Sequence, residues 1–226
     1  MRSLAVNPKA WSDHTVMESE PLEAAQPKLH LEALRAVAQT ASRAAAGGMT
    51  RALRRRVTVA VPEFALARAD QLPAVLGHGD QPVVAVSVQF LGDLSGSLLW
   101  IMASADARRM GGALLDQPDT SAPPGDEEIR AVLMKGVHIM AAAYAEVLSS
   151  LTTGVVFLSV PELTVGSASV VLSHTPGPGL PGHRPRPSIC VGSRLSFDDR
   201  GVVAMGHVVL MPHHPAFDRI LRALPA

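Results

Sequence analysis

Val61-Pro62-Glu63 and Val160-Pro161-Glu162 decide how this chain reads, because one three-residue signature recurs 99 positions apart. The first copy closes Val57-Thr58-Val59-Ala60-Val61, a β-branched run that reads as a strand stopped by proline. Upstream of it, Leu31, Leu34, Ala38, Ala41, Ala45, Gly48 and Ala52 recur at three- and four-residue steps, predicting a helix over about 29–53. Upstream of the second copy, Ile129, Leu133, Met140, Tyr144 and Val147 predict another over about 126–150. Gly47-Gly48 is unfavourable in mid-helix and implies close packing against a neighbouring element.

Downstream of the first copy come strands at 83–91 and 97–102, joined by the turn Gly92-Asp93-Leu94-Ser95-Gly96, and then a short helix over 105–116. Downstream of the second come strands at 155–160, 163–172, 188–197 and 202–211, and a closing helix over 215–224. Long helix, strands, short helix thus occurs twice. The stretch from Gly96 to Met102 matches that from Gly206 to Met211 at a larger offset, the excess being the Pro/Gly loop of 173–187. The expected fold is α+β and internally duplicated: two long helices on a largely antiparallel sheet, related by a pseudo-two-fold axis. Halves of about 29–117 and 126–226 form one domain, 29–226, behind a flexible leader, 1–28, with a proline-rich linker at 117–125.

Composition narrows the function. The 226 residues hold 20 Lys plus Arg against 20 Asp plus Glu, a net charge of zero. A general nucleic-acid or anionic-membrane binder needs a basic excess, so neither is expected. No apolar run reaches the length of a membrane span, so no insertion is expected, and no secretory signal is visible; the protein reads as cytoplasmic. The single cysteine, Cys190, excludes an internal disulfide and reads as a small core residue in an apolar run. Gly177-Pro178-Gly179-Leu180-Pro181-Gly182 has the spacing of a dinucleotide loop but is filled with proline and followed by a strand, so it is set aside. His213-His214 has no third ligand in view, so no metal is expected there. Arg51 and Arg54-Arg55-Arg56 form a basic cluster at a helix end, where they complement the helix dipole; gripping an acidic partner is the minority reading.

Together the duplication, Glu32-Ala33-Leu34-Arg35 at the head of the first helix, Val57 to Glu63, Gly92-Asp93-Leu94-Ser95-Gly96-Ser97, and Tyr144 resemble the CheC/CheX/FliY family of chemotaxis and flagellar-switch proteins, over about residues 30–226. The resemblance implies removal of phosphate from the aspartyl-phosphate of a CheY-like response regulator. The family motif is Asp or Ser, three residues, Glu, two residues, Asn, twenty-two residues, Pro. Glu and Asn at i and i+3 share a helix face. The amide orients a water for in-line attack, and the carboxylate docks on a cation of the partner.

Carried onto this chain, the motif fits in spacing and departs in chemistry. Pro62 fixes Gln39 at the Asn position, Ala36 at the Glu position and Glu32 at the leading one. Pro161 fixes His138 at the Asn position, Lys135 at the Glu position and Ala131 at the leading one. Neither half keeps both Glu and Asn. The implied function is that of a CheC-like signalling protein that binds a CheY-like response regulator, a CheD-like deamidase, or both, with weak or lost phosphatase activity. The alternatives are an active phosphatase using Gln39, with Glu32 compensating for the lost acid, and a structural component similar to the flagellar switch. No cofactor is expected, any Mg²⁺ belonging to the partner receiver.

Overall fold

The computed structural model describes residues 26–68, 70–78, 81–115, 125–174, 187–197 and 203–225. Leader residues 1–25, most of the 117–125 linker and most of the 173–187 loop lie outside these. In chain order the elements are α1 (Gln26–Leu53), β1 (Val57–Arg68), α2 (Leu72–Leu76), β2 (Val83–Gly92), β3 (Gly96–Ala103) and α3 (Ser104–Leu114). They continue with α4 (Asp126–Thr152), β4 (Val156–Leu158), β5 (Glu162–Gly166), α5 (Ala168–His174), β6 (Pro187–Phe197), β7 (Val203–Pro212) and α6 (His214–Ala223).

The seven strands form one antiparallel sheet in the order β1-β6-β7-β3-β2-β4, with β5 also pairing β2. The alternation of side chains along each strand divides two cores. On one face Val84, Val86, Val88, Leu98, Trp100 and Val208 meet α1 and α4 residues such as Leu34, Met49, Leu133 and Tyr144. On the other, Val83, Ala85, Leu99, Ile101 and Val209 meet the short helices α2 and α5 through Leu72, Leu76 and Val171. Exchanging each element for its counterpart in the other half, with β4 and β5 together answering to β1, reverses the strand order onto itself.

Pro62 does not stop its strand. β1 runs on to Arg68, with a register shift between Ala60 and Glu63 where the proline sits exposed. β1 is an edge strand, and an edge tolerates a residue that cannot donate to the ladder, particularly at a bulge. Pro161 lies in the break between β4 and β5 on the opposite edge. The second correction concerns 163–172, which is not one strand. After β5, Ser167 accepts the N–H of Val170 on Oγ (3.4 Å) and that of Val171 on its carbonyl (3.0 Å), opening α5. A short apolar run such as Val170-Val171-Leu172 fits a buried strand and a buried helix equally well. Helix α2 is an element the sequence pattern did not reveal.

Among the described residues one helix, α4, is long and apolar enough to cross a membrane, although no span was expected; half of its most apolar stretch is buried. That burial against α1 and the sheet is what makes it apolar, as for the core helix of a globular domain.

Candidate functional site

α1 and α4 pack side by side, and three contacts fix their register. The Ser42 and Tyr144 hydroxyls hydrogen-bond at 2.9 Å in the buried seam. A Cβ on Gly48 would stand 3.0 Å from Ile139, and one on Gly136 would stand 3.5 Å from Met49. Contact partners rise along one helix as they fall along the other, so the pair is antiparallel. Gly48 is small because Ile139 fills the space beside it, as the mid-helix glycines implied.

The inward stripe of α1 is Leu34, Ala38, Ala41, Ala45 and Met49. The helix period therefore turns Glu32, Ala36 and Gln39 outward, and all three are exposed. The Ala36 carbonyl accepts the Thr40 hydroxyl (2.9 Å), which in turn accepts from Arg43 (3.2 Å). Gln39 is thus bordered by a cationic side chain one turn on. On α4, Leu133, Val137, Met140 and Ala141 face inward, and Ala131, Lys135 and His138 are exposed. Pro62 is exposed on β1 and Pro161 half-buried after β4.

These residues make two stripes, not one site. His138 stands level with the Gly48 turn of α1, and Gln39 lies nine residues from Gly48, or about 13 Å along the axis. The stripes differ in chemistry. The α1 stripe offers an amide and a carboxylate two turns apart; the α4 stripe offers an ammonium and an imidazole.

The turn between β2 and β3 buttresses the α4–β4 junction. Asp93 exchanges hydrogen bonds with the Val155 backbone, its N–H to the carbonyl and its carboxylate from the N–H, both 2.9 Å. Its carboxylate also lies 3.4 Å from Arg219. The Val155 N–H first, then Arg219, holds the Asp93 carboxyl below its usual range. Gly92 has φ +96°, and a Cβ there would meet the Val155 carbonyl at 2.6 Å, so glycine is required.

Several polar groups escaped sequence reasoning. His78 and His207 stack edge to face with ring centroids 5.6 Å apart. Burial, then the neighbouring His78, lowers His207 to about 4. Burial lowers His78 as well, opposed by Asp106. The only signal was a lone polar position in the apolar run of β7. Glu63 is raised by burial, against the pull of Arg194. Cys190 is fully buried, its thiol pushed up to about 12 by burial and by Glu63, which suits a core residue rather than a nucleophile. His213 Nδ1 lies 3.1 Å from Ser95 Oγ, while His214 is exposed. Among the described residues no group of three or more His, Cys, Asp or Glu is placed to hold a metal ion.

No protein-family model matches the chain. The CheY-P phosphatase CheC of Bacillus subtilis is 25% identical over 200 residues, covering 87% of this chain and 94% of that protein. Among solved structures, Thermotoga maritima FliY superposes with a TM-score of 0.69 at 13% identity, covering 92% of this chain and 100% of that one. The FliM middle domain of Vibrio alginolyticus does so with a TM-score of 0.59 at 16% identity, over 85% and 99%. The chain is thus similar to CheC along nearly the whole of that protein and shares its fold with FliY.

Proposed function

We propose that this protein is a chemotaxis signalling component that docks a CheY-like response regulator on the exposed stripe of α1 and hydrolyses its aspartyl phosphate weakly or not at all. One observation carries the reading: Ala36 occupies the docking-acid position, exposed and one turn from Gln39. Gln39 keeps an amide able to orient a water, while Glu32 supplies the stripe's carboxylate one turn before Ala36. Loss of an interfacial charge pair costs very roughly 1–5 kcal/mol, so a mid-range value lowers turnover about a hundredfold. On α4, Lys135 at the Glu position reverses the charge that a receiver lysine would meet, and His138 stands at the amide position. Any Mg²⁺ belongs to the receiver. The same reading takes the two halves as copies of one unit, the protein as cytoplasmic, and a CheD-like deamidase as a second partner.

An active phosphatase is the rival, since Gln39 stays exposed and unobstructed by the sheet. A structural part similar to the flagellar switch is the other, favoured by the FliY and FliM folds. Titration of the cognate receiver, with and without beryllofluoride as the phosphate mimic, tests the proposal. Saturable binding that weakens in Gln39→Arg is expected. Absence of binding in either receiver state would remove the response regulator as partner.

A further inference from the structure

We propose that a second surface, the groove between the C-terminal turns of α1 and the middle of α4, docks an acidic, apolar-faced helical segment of a partner protein. The groove is separate from the Gln39 stripe, and Lys135 at its mouth is also the residue at the Glu position of the second motif. Its apolar floor includes Met49, Leu53, Leu114, Val132 and Ile139, with Lys135 at its mouth. Gly136 lines it as well, where a Cβ would touch Leu114 at 3.4 Å and Met49 at 3.5 Å. Leu114 comes from the end of α3, so three helices frame it.

The rim is cationic and uncommitted. Arg51 and Arg54 flank the groove-lining pair Ala52 and Leu53, and both are exposed, as is Lys135. Among the described residues none of the three forms an ion pair. Arg54 stands at φ +53°, in the turn that ends α1. Arg55, by contrast, is committed to the fold: it donates to the Ala113 carbonyl at 2.7 Å and lies over the Phe197 ring at 5.5 Å. The nearest acids on α4, Glu128, Glu127 and Asp126, lie two turns or more from Lys135. Asp126 faces Arg108 at 3.8 Å, and Glu128 accepts the Gly125 N–H at 3.2 Å. In a chain of zero net charge this leaves a local positive rim around an apolar floor. Charge complementarity selects an acidic occupant, and a floor between helices suits apolar anchors at helical spacing.

The probe is a fluorescein-labelled 14-residue peptide of Leu and Glu, its leucines at i, i+3, i+7 and i+10. Controls are a scrambled peptide of the same composition and a Leu/Lys counterpart. Fluorescence polarisation with the full chain is expected to saturate for the Leu/Glu peptide only. Affinity should weaken with added salt, fall about tenfold in Lys135→Glu, fall further in Arg51→Glu/Lys135→Glu, and stay unchanged in Gln39→Ala. Both reversed positions are exposed, and circular dichroism confirms that the variants fold. Binding equal in Lys135→Glu, equal for the scrambled or Leu/Lys peptide, or absent altogether would overturn the proposal. A salt-sensitive dimer that Lys135→Glu dissociates would overturn it too, in favour of a second copy as occupant.

Discussion

In the proposed reading Gln39 and Ala36 hold the motif positions, and their side chains are exposed on a helix whose other face is locked into the core. Restoring the family chemistry there needs no repacking. Ala36→Glu with Gln39→Asn is expected to raise receiver dephosphorylation at least tenfold over the parent, read by loss of radiolabelled phosphate. No gain in a folded, receiver-binding variant would mean that the surface around α1 has diverged as well. Away from the stripe, His207 sets an acid limit on stability. Folded, its value is about 4; unfolded, it returns to about 6.5. The unfolded chain therefore binds the extra proton between these values, and stability falls as pH descends through that window. Unfolding free energies from urea titrations at pH 7.5 and pH 5 should differ by about 2 kcal/mol, and His207→Gln should reduce the difference. Glu63 acts in the opposite sense, since a raised carboxyl contributes stability that is lost as pH rises through its folded value.

The α1–α4 seam is the element-scale feature that holds both stripes in place. Ser42→Ala leaves the buried Tyr144 hydroxyl without this partner and should cost about 1–3 kcal/mol in urea unfolding. Ser42→Ala with Tyr144→Phe should cost less than the sum of the two single changes, because both polar groups then leave together. Gly48→Val drives a branched side chain toward Ile139 and should cost about 1–3 kcal/mol. The seam was legible in the sequence, since Leu34, Ala38, Ala41 and Ala45 repeat at the helix period and the paired glycines demanded a close neighbour. Pro62 misled, because a proline inside a strand and a proline after one look alike until the strand is known to be an edge. Ser167 to Leu172 misled for a different reason: six residues are too few for periodicity to separate helix from strand.

At the scale of the whole molecule, each copy of the Val-Pro-Glu signature marks an outer edge of one largely antiparallel sheet. β1 and the broken β4–β5 strand are the two ends of the strand order. What the sequence could not convey was distance. The antiparallel register of α1 and α4 separates the two motif stripes, so neither can complete the other, and each must be judged by its own residues. Nor could it reveal the groove at the end of α1, which needs three helices from both halves to exist. The central claim is that the protein binds a CheY-like receiver while its motif residues hydrolyse the aspartyl phosphate weakly or not at all. Dephosphorylation of the phosphorylated cognate receiver, with parent and Gln39→Ala proteins at saturating concentration, tests it most directly. The account predicts rates close to the receiver's own autodephosphorylation, little changed by Gln39→Ala. A parent rate far above that baseline, collapsing in Gln39→Ala, would contradict it.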